Sequence, residues 1–204
     1  SSDTLVAQND QEFQYFNFYN KIFTSDNFLV LAVKKNDEID RDFIDNFQII
    51  SSKLIKLEPV SNVFSFIDAP ILFLNNTSLT NLSSDNIENI QNTNLNINDV
   101  IKEFTNNPVY KDQLLNEDAD VFSIVIYLNK NLDLLSAQED FKNSIISKKE
   151  YLKIKQFHDE KRNLLIKSIR KIINEADKKH SYYLGGIEMI ANDVINFVKK
   201  DIII

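Results

Sequence analysis

The chain has 204 residues, 43% hydrophobic and 26% charged, enough to bury the core of one large domain. Its net charge of -7 argues against a general nucleic-acid binder, because phosphate attraction needs a basic face. With no cysteine, disulfides, thiolate catalysis and thiolate metal sites are all excluded.

After a polar lead, residues 10–23 (DQEFQYFNFYNKIF) predict a helix capped by Asp10, with Phe13, Phe16, Tyr19, Ile22 and Phe23 near helical spacing. Phe28 to Val33 is a short apolar run and reads as a buried strand. Ile39, Phe43, Phe47, Ile50, Leu54 and Leu57 recur at steps of three and four, which predicts an amphipathic helix ended by Pro59. Val60 to Ile67 reads as a second strand. Residues 74–96 are polar and rich in Asn and Ser, and short helices follow, broken before Pro108. Val121 to Leu128 is a third strand, and Ser136 to Lys179 reads as one long helical region with a stripe of Phe157, Leu165, Ile169, Ile172, Ile173 and Ala176. His180 to Leu184 is the fourth strand, ended by Gly185 and Gly186, and a last helix starts near Glu188.

Two strand-helix-strand halves separated by an insertion at about 74–118 predict an α+β, ferredoxin-like split βαβ sandwich, a four-stranded mainly antiparallel sheet with helices on one face. A doubly wound parallel sheet is the alternative, disfavoured because no glycine-rich phosphate turn follows the first strand.

No catalytic constellation emerges, and neither cofactor nor metal is expected. His158 lacks a second histidine at zinc-helix spacing and reads as part of a solvated helix face. His180, after Asp177-Lys178-Lys179, reads as a cation at a helix end. The acidic runs at 36–42 and 116–120 lack EF-hand spacing. Phe13, Tyr15, Phe16, Phe18, Tyr19 and Phe23 wrap more of their helix than one buried stripe needs. They read as core packing or, more sharply, as a surface for a partner domain or apolar ligand.

Five segments carry a more specific signal. Asp3, Thr4, Leu5, Val6, Asn9 and Asp10 form a D-T-L-V motif followed by Asn-Asp. The run Ser25–Val33 comes next, and then Val63, Ser65, Asp68 and Pro70. Asn107, Pro108, Tyr110, Leu114 and Asp118 follow, with Asn116 where serine is usual, and last Gly186 and Asp201, with Glu188 in place of a usual proline. In this order the segments resemble the first periplasmic porter domain of RND-superfamily exporters of the MMPL-like branch, between transmembrane helices 1 and 2.

The resemblance implies a single periplasmic domain over 1–204, with membrane-proximal ends at 1–9 and 199–204, and the terminal Asp201-Ile-Ile-Ile opening a membrane helix. It implies that the domain helps form the export path of a proton-driven inner-membrane transporter for a hydrophobic or lipid-like substrate. Its partners would be the transporter's membrane helices and second porter domain, and further copies of the full-length protein. Phe13, Phe16, Phe18 and Tyr19 are the candidate path residues; Gly185, Gly186, Pro70, Pro108 and Asp201 are candidate structural positions. The alternatives are a stand-alone periplasmic binding or adaptor module, and an enzyme of another type.

Overall fold

The computed structural model describes residues 27–72, 74 and 88–186. Eight elements follow in chain order: β1 (Phe28–Lys34), α1 (Arg41–Leu54), β2 (Val60–Ser65), α2 (Ile97–Asn106), β3 (Val121–Leu128), α3 (Leu132–Lys142), α4 (Lys148–Glu175) and β4 (Ser181–Gly186). The helix expected at 10–23 and the one expected from Glu188 lie outside the described residues.

The strands form one sheet in the order β2-β3-β1-β4, with every neighbouring pair antiparallel. β1 and β2 are thus parallel with β3 between them, and β3 and β4 are parallel with β1 between them. Two interleaved split βαβ units result, so the fold is the expected ferredoxin-like α+β sandwich and not a doubly wound parallel sheet.

Side-chain alternation explains why α1 and α4 settle on one face. Leu29, Leu31 and Val33 of β1 are fully buried and lie in register with Ile126, Ile124 and Phe122 of β3. On α1, Phe43, Ile44, Phe47, Ile50 and Leu54 are buried at helical spacing. Phe43, Phe47, Phe66 and Phe122 meet with ring centroids 4.8 to 6.2 Å apart and lock α1 to the sheet. Asp40 starts α1 by accepting the Phe43 amide at 2.8 Å. The opposite face is apolar too: Phe28, Val30, Phe64, Val125 and Tyr127 share it, and Val125 and Tyr127 are buried.

Between β2 and β3 the described residues are not a peripheral insertion. Ile71, Leu72, Ile90, Val100, Phe104, Val109, Tyr110, Leu114 and Leu115 belong to the same hydrophobic cluster as the sheet. Leu115 bridges Phe122, and the Ser123 amide donates to the Leu114 carbonyl at 2.8 Å, so residues 114–115 lie alongside β3 past the end of β2.

Three expectations are corrected. The long helix over 136–179 is two helices, because α3 stops in a Schellman motif. The Ile145 amide donates to Asp140 (2.8 Å) and the Ser144 amide to Phe141 (3.1 Å), with Ser144 at φ 58 in the left-handed position usually held by glycine. Phe157 does not join the buried stripe; it is 53% exposed, whereas Leu165 and Ile169 are buried and Ile172, Ile173 and Ala176 pack against the core. Gly185 and Gly186 are not a turn but the last two residues of β4, paired with Val30 and Leu29 and without positive φ. A Cβ on Gly186 would lie 2.7 Å from Leu29 Cδ2, so glycine there lets β4 close onto a filled β1.

Candidate functional site

The four strands bring several chain crossings to one end of the sheet. β1 and β2 begin there, and β3 and β4 finish there. Leu29 pairs with Gly186, and Val60 with Leu128. The Leu128 amide donates to the Asn27 carbonyl (2.9 Å), Asn27 Nδ2 to the Asn129 carbonyl (3.0 Å), and the Asn129 amide to the Pro59 carbonyl (2.9 Å). The chain therefore comes into the sheet at Phe28 and leaves it at Gly186 on directly bonded neighbouring strands.

An arm projects from this same end. No residue from 129 to 164 belongs to the hydrophobic cluster, although Leu165 and Ile169 do. The 28 residues of α4 span about 42 Å, whereas the eight of β3, which α4 runs back along, span about 26 Å. The far end of α4 is fixed, because the Asn36 side chain, just past β1, donates to the Lys179 carbonyl at 2.7 Å. The surplus length thus extends beyond the strand ends, where α3 packs along it. Phe141 stacks on Tyr151 (5.0 Å, 7° between planes), and Ser147 and Glu150 form a reciprocal capping box at the start of α4.

The residues that carry the resemblance between β2 and β3 come together as structure. The Asp68 carboxylate accepts the Ser65 amide (2.9 Å) and hydroxyl (3.0 Å), closing the turn after β2; burial nevertheless pushes its pKa up against those hydrogen bonds. Asn107 is fully buried and accepts the Val109 amide at 2.9 Å; Tyr110 is fully buried and its hydroxyl donates to the Pro70 carbonyl at 3.0 Å. Beside them, the buried Glu103 accepts the Leu72 amide (2.7 Å) and the Leu74 amide (2.9 Å). Pro70 and Pro108 thus flank one packed junction. Sequence spacing did not mark Glu103, because its role comes from two amides about thirty positions away.

An open cleft of about 360 Å³ lies between α1 and the end of α4, lined by Asp42, Asp45, Asn46, Lys53, Glu175 and Asp177 among others. Asn46 donates to the Tyr182 hydroxyl at 2.7 Å, and Lys53 faces Glu175 at 3.5 Å. Burial, ahead of the opposing Asn46 hydrogen bond, raises the Tyr182 pKa. No nucleophile-base pair stands in the cleft, and its four carboxylates, Asp42, Asp45, Glu175 and Asp177, outnumber its two lysines, Lys53 and Lys179. Among the described residues no group of three or more His, Cys, Asp or Glu is placed to hold a metal ion, and no helix is long and apolar enough to cross a membrane. His180 does not cap a helix end, since α4 stops at Glu175. It is buried edge-on against Phe43 (4.9 Å) and accepts the Asn36 amide at Nδ1.

The candidate path residues Phe13, Phe16, Phe18 and Tyr19, and Asp201, lie outside the described residues, as do 75–87 of the polar, Asn- and Ser-rich segment at 74–96. Comparison with family models, with curated proteins and with solved structures gives no match for this chain.

Proposed function

We propose that the chain is a periplasmic porter domain of a proton-driven, RND-superfamily, MMPL-like transporter, helping to form the export path for a hydrophobic or lipid-like substrate. The observation that carries this reading is the pairing of Leu29 with Gly186, which sets the incoming and outgoing chain side by side at one end of the sheet. This arrangement suits a domain set between two membrane spans, because both spans cross the same bilayer. The junction of Pro70, Asn107 and Tyr110 adds support, since residues the resemblance singles out in two separate segments meet there. The domain's part is mechanical: it shapes a path and passes on motion between its flanks. No proton-relay carboxylate is assigned to it.

A labelling experiment on the whole gene product tests the reading. The chain has no cysteine, so Asp37→Cys, in the exposed loop after β1 at the opposite end of the sheet from Phe28 and Gly186, makes a unique thiol within it. In intact cells a membrane-impermeant maleimide is expected to label it, with the product in the inner-membrane fraction. Labelling only after lysis, or recovery in the soluble fraction, overturns the proposal.

A further inference from the structure

We propose that the chain's own aromatic segment, Phe13–Phe23, docks on the second face of the sheet over β3 and β2. Phe28, Val30, Phe64, Val125 and Tyr127 make up that face, and Val125 and Tyr127 are only 4% and 6% exposed. They are buried within a single chain, so the cover is the chain's own. Among the described residues nothing accounts for it. α1 and α4 pack on the other face, and no residue from 129 to 164 belongs to the hydrophobic cluster. Residues 88–110 are bonded to Arg41 and to residues 67–74, past the end of the sheet where β2 finishes and β3 begins. Tyr127 lies at the opposite end, with its ring 6.4 Å from that of its strand neighbour Phe28. The cover over Tyr127 therefore comes from outside the described residues.

Three observations select Phe13–Phe23 as the occupant. The first is chemistry. From Phe13 to Phe23 there are six aromatic residues and only one charge, Lys21. Phe13, Phe16, Tyr19 and Phe23 follow at steps of three and four, one side of a helix, and the face below offers Phe28, Phe64 and Tyr127 as ring partners. Residues 75–87 contain no aromatic residue, and 187–204 contain one, Phe197.

The second is reach. Four residues separate Phe23 from Phe28, so Phe23 lies within about 17 Å of the start of β1. As the helix its spacing predicts, 10–23 is about 21 Å long, enough to run back along most of the sheet. The third is position. The Leu128 amide donates to the Asn27 carbonyl, so the incoming chain is already held against β3 as it meets the sheet. The outgoing chain leaves from the edge strand β4, two strands from β3. Tyr183 of β4, on the same face, is 60% exposed, so the cover thins towards the strand from which 187–204 departs.

The sheet then has packed layers on both faces, and Phe13, Phe16 and Tyr19 are core residues, not the lining of a substrate path. The inference does not rest on the function proposed above and survives if that reading fails.

A photo-cross-linker tests it on the 204-residue chain. With p-benzoylphenylalanine in place of Phe64, irradiation is expected to join position 64 to a peptide from 10–23 of the same chain. A cross-link into 75–87 or 187–204, a cross-linked dimer, or no cross-link overturns the proposal. A second measurement uses the absence of cysteine. Val125→Cys puts one thiol on the covered face, and Leu31→Cys puts one under α1. Both should react slowly with a maleimide. Adding Phe16→Asp and Tyr19→Asp is expected to speed the thiol at 125 by more than about tenfold and to leave the one at 31 slow. An unchanged rate at 125, or an equal rise at both positions, overturns the proposal.

Discussion

Asp68 is a carboxylate held where its charge is costly. Burial dominates and raises its pKa above the ordinary 3.8, while the Ser65 amide and hydroxyl oppose the shift. An acid with a raised folded-state pKa contributes stability that is complete below the ordinary value and is lost as pH rises through the folded one. Asp68→Asn keeps an oxygen to accept from Ser65 and removes the buried charge. The thermal midpoint of this variant is expected to exceed that of the parent at neutral pH, and the two should converge in acid below the ordinary aspartate range. Thermal melts across that range check it, and equal midpoints at neutral pH would refute the assignment. The sequence marked Ser65, Asp68, Pro70, Asn107 and Tyr110 as a pattern, but what they do was hidden. A hydroxyl reaching a carbonyl forty positions away leaves no periodic trace. Glu103 was invisible for the same reason.

Elements defined by their own composition were legible, while those defined by a break were not. β1 and β3 fall where runs of apolar residues stand, because a strand buried on one face and at least half-covered on the other needs nothing else to announce it. The division between α3 and α4 escaped notice because Ser144 fills a glycine's place, and the real start signal is the Ser147-to-Glu150 box. That box sets an element-scale prediction. Ser147→Ala should cost the first turn of α4 about 1 kcal/mol. Faster amide exchange is expected at residues 148–151, with the global melting midpoint unchanged. The Ser147 hydrogen bonds also hold the Glu150 carboxyl below its ordinary value. An acid with a lowered folded-state pKa stabilises above its ordinary value and loses that contribution as pH falls through the lowered one, so the parent's first turn should fray in acid. Gly185 and Gly186 misled in the opposite way: glycine suggested a turn, and the structure uses one of them for close approach within a ladder.

At the scale of the whole molecule, the cooperative core and the arm are separable. The core draws on both split βαβ units and on the segment between them, but on nothing from 129 to 164. Replacing residues 132–157 with a short linker is therefore expected to leave a folded domain whose thermal midpoint lies within a few degrees of the parent's. Circular dichroism and a thermal melt check this, and loss of cooperative unfolding would show the arm to be part of the core. The fold class was readable because two strand-helix-strand patterns survive in the composition; the arm was not, since a helix outside the core has the same period as one inside it. The pairing at the strand ends has a mechanical consequence as well. Tension that spreads the two flanks apart pulls β1 and β4 from one end, so their antiparallel bonds are loaded in turn, as in a zipper, and not all together in shear. The Leu29–Gly186 rung takes that load first, with the glycine contributing no side chain to resist it. The edge strand β4 is accordingly the compliant one, and β3, bonded on both sides, is the rigid spine against which it gives.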